Sequence, residues 1–397
     1  MNRSIYVLML AQFLSAFADN AILFTAIAMV RQGAQGDWYI SALQSAFLIA
    51  FVLLAPWVGP FADRRPKPQV LMIGNALKAL GAGLLLLPVD PLLAYGLVGI
   101  GAAVYGPAKF GILPELVGHD RLVRANSLIE GSTIAAIVLG SFVGGVVADQ
   151  SIALALGVIV ACYAVSLVIT FWLPSITPAH GGEPVGIGHF MRMMRRLFET
   201  DRARFTMLGT SLFWGAGAVL RVILVAWVPA VLLLDKSADV AMLTVFLAVG
   251  AVIGAAVVPK LIPIERLRRA RLAAYAMGFS ILIFGLVDSL WAARLGLVAI
   301  GICGGLFMVP VNAALQEIGH RSIGSGGAVA LQNFFENLAM LAAVGGFALA
   351  GWLGASPVPA IVTVGVLVLI ATFIVSWHLP PDPDARRSAA NGRPSGD

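Results

Sequence analysis

"GIGAAVYGP" at residues 99–107 leads into "PELVGH" at 114–119, and "GICGGLFMVP" at 301–310 leads into "QEIGH" at 316–320. Further along each copy, Glu130 stands ten residues before Gly140 with Gly145 beyond, and Glu336 stands ten before Gly346 with Gly351 beyond. The copies keep one order and a nearly constant offset of about 200 residues, which marks an internal repeat. The chain is two versions of one design.

Composition says what each version is made of. The 397 residues are 59% hydrophobic and 12% charged, with a mean hydropathy of +0.93. A soluble chain of this length carries about 25% charged residues, so half that fraction points to lipid as the solvent. The apolar residues form twelve blocks, at 5–30, 38–60, 69–88, 91–113, 125–148, 152–173, 205–234, 240–262, 271–288, 291–312, 325–351 and 357–379. Each is near the ~20 residues that a spanning helix needs. The first block also imitates a secretory leader, with Asn2-Arg3 ahead of it and Ala16-Phe17-Ala18 inside it. Its apolar character continues past Asp19, so it reads as a retained span. Cys162 and Cys303 both fall inside blocks and imply no disulfide framework.

The sequence therefore predicts an all-α membrane protein with twelve transmembrane helices in two pseudo-symmetric six-helix bundles. The expected division is a first bundle over 1–173, a cytoplasmic linker over 174–204, a second bundle over 205–380 and a disordered cytoplasmic tail over 381–397. The linker begins Pro/Gly-rich (Pro174, Pro178, Gly181, Gly182, Pro184) and ends basic and amphipathic in "HFMRMMRRLFETDRARF". That pattern fits a helix on an anionic inner leaflet or an ordinary solvated linker helix.

A net charge of +6 invites a nucleic-acid reading, but the placement of the bases gives topology instead. With a cytoplasmic N-terminus, 20 of the 26 Lys and Arg residues fall in inside segments. The outside loops hold Arg31, Lys236 and Arg294. This asymmetry places both termini of the multi-pass protein in the cytoplasm. No nucleic-acid partner, cofactor or metal is expected.

Between the second and third blocks stands "GPFADRRPKPQVL", residues 59–71. It resembles the cytoplasmic loop pattern of the major facilitator superfamily, in which Gly and a small spacer precede Asp, Arg and Gly-Arg-Lys. Asp63, Arg64, Arg65 and Lys67 fill the charged places, and Pro66 stands where Gly is usual. Acid and base at a tight helix-to-helix turn suit a conformation-dependent gate. The second-half counterpart, "PKLIPIERLRRAR" at 259–271, keeps charge but loses the order. Parallel six-helix repeats joined by a basic central loop also fit that superfamily, whose substrate sits between the halves near mid-membrane.

Six ionisable residues lie well inside blocks: Asp19, Lys78, Lys109, Glu130, Arg221 and Glu336. A bare charge at mid-membrane costs at least about 2.5–3.5 kcal/mol, so such groups pair, face the bundle interior or line a water-filled path. Glu130 and Glu336 repeat each other and read as structural or gating residues. Lys109 is near enough to the cytoplasmic end of its block to snorkel. Lys78, one turn beyond Asn75, reads as a helix-packing contact or a cavity residue. Asp19 and Arg221 have no cheap escape.

Six ordered segments carry a more specific resemblance: "AQFLSAFADNAILF", "NALKALGAG", "GAAVYGPAKFGIL", "ANSLIEGSTIAAI", "GTSLFWGAGAVLRVILVAWVP" and "VALQNFFENLAML". They are similar to the bacterial lysophospholipid transporters, a branch of the major facilitator superfamily, from the first block through the eleventh. The resemblance implies an inner-membrane flippase that returns lysophospholipids such as lysophosphatidylethanolamine from the outer to the inner leaflet. A cytoplasmic acyltransferase-synthetase reacylates them there; it is fused in some relatives and expected as a separate chain here. In the superfamily the first, fourth, seventh and tenth helices line the cavity, and these carry Asp19, Lys109, Arg221 and Asn312. The expected headgroup site is Asp19, Asn20, Lys109, Arg221 and Asn312, with Arg221 as a planar fork for phosphate. Asp19 is expected in one charged network with Arg221 and Lys109. Phe13, Phe17, Phe213 and Trp214, with Lys78, are expected cavity walls. The gate is expected at Asp63, Arg64, Arg65, Lys67, Glu130 and Glu336.

Two rivals are weighed on residues. A proton-coupled drug exporter of the same fold is suggested by "GSFVGG" in the fifth block, with Ser141 where antiporters place proline. The fourth block lacks the arginine such antiporters carry. A membrane acyltransferase would need His and Asp in an H-x-x-x-x-D arrangement, and none of His119, His180, His189, His320 or His378 has Asp at that distance. The chain reads as a transporter, not an enzyme.

Overall fold

Long apolar runs in a solvent without water must satisfy their backbone groups internally, and helices do so. The computed structural model describes residues 3–32, 37–175, 185–234, 237–263, 266–377 and 379. The expected tail at 381–397, the linker stretch 176–184 with Pro178, Gly181, Gly182 and Pro184, and the bases Lys236, Arg386, Arg387 and Arg393 lie outside the described residues.

Each of the twelve apolar blocks is a helix: α1 (Arg3–Gln32), α2 (Asp37–Asp63), α3 (Lys67–Leu84), α4 (Pro91–Gly111), α6 (Leu122–Gln150), α7 (Ile152–Thr170), α9 (Asp201–Leu232), α10 (Ser237–Leu261), α11 (Arg268–Phe284), α12 (Leu290–Ser322), α13 (Ser325–Trp352) and α14 (Pro357–Ser376). Short α5 (Leu113–Val117) follows α4, and α8 (Ile187–Leu197) is the amphipathic linker helix. Counted over the described residues, ten of the twelve are long and apolar enough to cross a membrane. The other two are α3, which contains Lys67 and Lys78, and α11, which opens on Arg268, Arg269 and Arg271.

Helix ends follow local chemistry where hydropathy misjudges them. Thr200 accepts from the Ala203 amide at 3.3 Å and starts α9 inside the expected linker. The tenth apolar block stops at Asn312, but α12 runs on to Ser322 through Gln316 and Glu317. Polar side chains do not interrupt backbone hydrogen bonding, so the helix outlasts its apolar face.

The described chain forms two compact units. One is Met1–Leu197 with Gln316–Phe334, and the other is Phe198–Leu315 with Phe335–Asp397. The end of α12 and the first turns of α13 therefore belong with the first six long helices. In the first unit α1 packs on α6 and α7, α3 on α4 and α7, and α2 on α4. In the second, α14 packs on α11 and α9, around a core that includes Trp227, Phe284 and Ile223.

Without a hydrophobic drive between helices in lipid, small residues set how closely they approach. A Cβ at Gly140 of α6 would run into the Phe17 carbonyl of α1, and one at Gly144 would run into the Ala21 backbone. The stretch that imitates an antiporter motif is thus a packing seam. In the second unit Gly250 and Gly254 of α10 face the backbone of α12, where Gly301 and Gly305 reciprocate. The outer surface is apolar, with Phe142 at 69% and Leu286 at 83% exposure, a surface that only lipid covers without cost.

Candidate functional site

Asp19 lies near the middle of α1, one turn after Ser15 on the same face. Opposite, α3 presents Asn75 and Lys78, and α7 presents Tyr163 and Ser166. The Lys78 ammonium donates to Asp19 Oδ2 at 2.8 Å and to Ser15 Oγ at 3.0 Å. Tyr163 Oη donates to Asp19 Oδ1 at 2.8 Å, so both carboxylate oxygens are engaged. The pattern continues outward. Ser15 Oγ donates to Asn75 Oδ1 at 2.7 Å, Asn75 Nδ2 donates to Ser166 Oγ at 2.8 Å, and Ser166 Oγ donates to the Ala11 carbonyl at 2.6 Å. The Tyr105 ring of α4 lies 4.5 Å from Lys78 Nζ, which adds a cation–π contact. Lys78 is 1% exposed while Asp19 keeps 20%. The pair is neutral overall, with its base sealed in and one edge of its acid accessible.

This corrects the expected network. Asp19 does not bond Lys109; its partners are Lys78 and Tyr163. The physical reason is register: Ser15 and Asp19 share a face of α1, so one ammonium from α3 reaches both. Asn20 donates to the Ala16 carbonyl of its own helix at 2.8 Å. Phe13 and Phe17 stack at 6.4 Å along α1. Lys109 sits in the last turn of α4, 4.2 Å from the Phe110 ring, half-buried and with a further partner.

In the second unit, Arg221 occupies the middle of α9 with an exposed side chain. Among the described residues it makes no hydrogen bond or ion pair. Two turns earlier Phe213 and Trp214 meet edge to face at 5.5 Å. Asn312 is buried in α12 and engaged. Glu130 on α6 and Glu336 on α13 are both buried and engaged.

At the end of α2, Asp63 is 8% exposed and accepts three times within the first unit. Lys67 Nζ donates at 2.6 Å, the Gly326 amide at 2.8 Å and the Gly327 amide at 2.7 Å. The two amides are free donors at the N-terminus of α13, where a carboxylate is favoured by the helix dipole. Lys67 is held further by the Ala62 carbonyl at 2.9 Å. Arg64 and Arg65 are exposed; Arg65 lies 4.1 Å over the Phe61 ring and Arg64 has a partner of its own. The loop's charges therefore divide: Asp63 and Lys67 form a buried clasp, and the arginines face outward. Close by, Asn126 and Gln316 exchange amide hydrogen bonds at 2.9 and 2.8 Å.

The Major Facilitator Superfamily model matches residues 8–344. Relatives named lysophospholipid transporter are 42% identical to this chain. The one from Photorhabdus laumondii aligns over 95% of both chains, and the one from Yersinia pestis over 91% of this chain and 90% of its own. The chain belongs to the lysophospholipid transporter family of the major facilitator superfamily. Solved structures agree on the fold. The human organic anion transporter MFSD10 gives a TM-score of 0.76 at 16% identity, covering 94% of this chain and 99% of its own. A bacterial homologue of ferroportin, outward-facing, gives 0.69 at 18%, covering 95% and 100%. This family member is accordingly a multi-pass membrane transporter by family.

Sequence reasoning missed Tyr163, Ser15, Ser166 and the glycine pair Gly326-Gly327. Spaced hydroxyls in apolar helices are a weak signal, since most bond to their own backbone, as Thr25 does to Ala21. The glycine pair had a better one: "SGG" opens a helix without a side-chain acid of its own.

Proposed function

We propose that this protein moves lysophospholipids, such as lysophosphatidylethanolamine, from the outer to the inner leaflet of a bacterial inner membrane by alternating access. The product is then reacylated by an acyltransferase-synthetase on a separate chain. The observation that carries this reading is the name shared by relatives 42% identical over nearly the whole of both chains. The chemistry supports it. A lysophospholipid brings one phosphate and one acyl chain, and Arg221 is a mid-span guanidinium without a partner among the described residues. A planar fork of N–H donors suits phosphate oxygens. Asp19, already neutralised by Lys78, contributes its accessible edge to an amine or hydroxyl. Asn20, Lys109 and Asn312 complete the proposed headgroup site, and Phe13, Phe17, Phe213 and Trp214 are proposed to flank the tail. Asp63 with Lys67 is the proposed latch of the cytoplasmic face. Arg64, Arg65, Glu130 and Glu336 are proposed to assist it.

The test is purified protein in liposomes, assayed for leaflet exchange of lysophosphatidylethanolamine against diacyl lipid and a cationic drug. Selective exchange of the lyso lipid is the expected result, and exchange of the drug alone returns the exporter reading. Topology is checked in cells: cysteines near Lys67, Arg195 and Arg269 label only from the cytoplasm, and those near Asp90 only from the periplasm.

A further inference from the structure

The linker helix α8 has two faces with different occupants. Its inner face is buried: Phe190, Met193 and Leu197 are 4%, 3% and 2% exposed. It packs on α2, and Phe190 meets Phe334 of α13 edge to face at 5.4 Å. Met193 Sδ would stand only 3.0 Å from a Cβ at Gly327, whose amide donates to Asp63. The inner face of α8 therefore rests on the backbone that the Asp63 clasp holds.

The outer face carries no partner among the described residues. Arg192, Arg195 and Arg196 are exposed and make no hydrogen bond or ion pair among the described residues, although Glu199 lies one turn on. Ile187 and Met191 are 63% and 54% exposed and continue the Arg195 stripe at four-residue spacing. Three unpaired guanidinium groups beside an apolar edge match one kind of surface. Phosphate-bearing headgroups take the charges while the acyl boundary takes the edge. Water would leave Ile187 and Met191 uncovered.

We propose that the outer face of α8 is a docking surface for anionic phospholipid, and that lipid bound there holds the Asp63 clasp closed through Phe190 and Met193. The regulatory half rests on the latch reading of Asp63; the docking half does not. Anionic lipid drawn onto the arginines fixes α8 in the plane of the leaflet, and α8 in turn fixes the first turn of α13. Loss of that lipid frees α8 and loosens the seat of Gly326 and Gly327.

The full-length chain, with Cys162→Ala and Cys303→Ala, is reconstituted in phosphatidylethanolamine nanodiscs with or without phosphatidylglycerol. Ala330→Cys reports the clasp, because Ala330 is 1% exposed against Gly59 of α2. Phosphatidylglycerol is expected to slow thiol labelling severalfold, and native mass spectrometry is expected to find it retained on the protein. The Arg192→Gln, Arg195→Gln, Arg196→Gln variant loses both effects, and the matching Lys variant keeps most of each. Equal retention of phosphatidylglycerol by the Gln variant overturns the docking surface. So does protection by polyglutamate without protection by lipid, which transfers the face to an acidic protein. Retention lost with labelling unchanged overturns only the coupling. Asp63→Asn then distinguishes the latch: unchanged labelling in that variant sinks the latch itself and leaves the docking result standing.

Discussion

Asp19 and Arg221 stand mid-span in matching helices of the two repeats, and the protein treats them in opposite ways. Asp19 is surrounded: an ammonium, a phenol and a chain of two hydroxyls and an amide, contributed by α1, α3 and α7, are arranged around it. Arg221 is left exposed without a partner among the described residues. A buried pair that loses one member strands the other charge, so the first arrangement is bound up with folding. A lone accessible cation has nothing to strand, so its removal touches only what it binds. One charge is architecture with an accessible edge, and the other is a reaching group.

That contrast breaks first at Lys78. Lys78→Ala leaves Asp19 without its counter-ion, a loss of about 3–5 kcal/mol, and is expected to lower both the melting temperature in detergent and the yield of folded protein. Asp19→Leu with Lys78→Met removes both charges and is expected to recover much of the stability while leaving transport poor. A double variant as unstable as the single one would show that the pair is not the source of the loss.

Arg221→Ala sharpens the same contrast from the other side. Its melting temperature is expected to stay near wild type while lysophospholipid exchange falls to background. Arg221→Lys is expected to recover little, because an ammonium cannot reproduce a two-pronged grip on phosphate.

The clasp comes next in size. Asp63→Asn removes the charge facing Lys67 and the α13 amides but keeps one acceptor oxygen, at a cost of about 1–3 kcal/mol. Thiol labelling at Ala330→Cys is expected to rise while substrate binding is retained, measured by protection from thermal unfolding. The smallest effect is expected at Ser15→Ala, which deletes one link between Asn75 and Lys78 for about 1 kcal/mol. Exchange at near wild-type rate in that variant would mark Ser15 as support for the pair.

Much of this was legible in the sequence, for reasons that can be named. Twelve helices follow from twelve apolar blocks because lipid leaves the backbone no alternative. Asp63 and Lys67 announced a polar cluster because charge at a short turn is conspicuous. The pairing of Asp19 was not legible. Choosing among Lys78, Lys109 and Arg221 needs the register of α1 against α3, and a sequence without an alignment contains no such register. Glycines show the same limit. Gly140 and Gly346 occupy matching places in the repeat, yet Gly140 lies against α1 while a Cβ at Gly346 meets open space. A duplicated sequence need not keep duplicated contacts.

The most direct test compares Arg221→Ala with wild type, measuring leaflet exchange of lysophosphatidylethanolamine in liposomes per unit of folded protein. Thermal unfolding is recorded on the same preparations. The predicted result is an unchanged melting temperature with exchange reduced to that of empty liposomes. Wild-type exchange by a normally folded Arg221→Ala protein would contradict the assignment of the phosphate grip to that guanidinium.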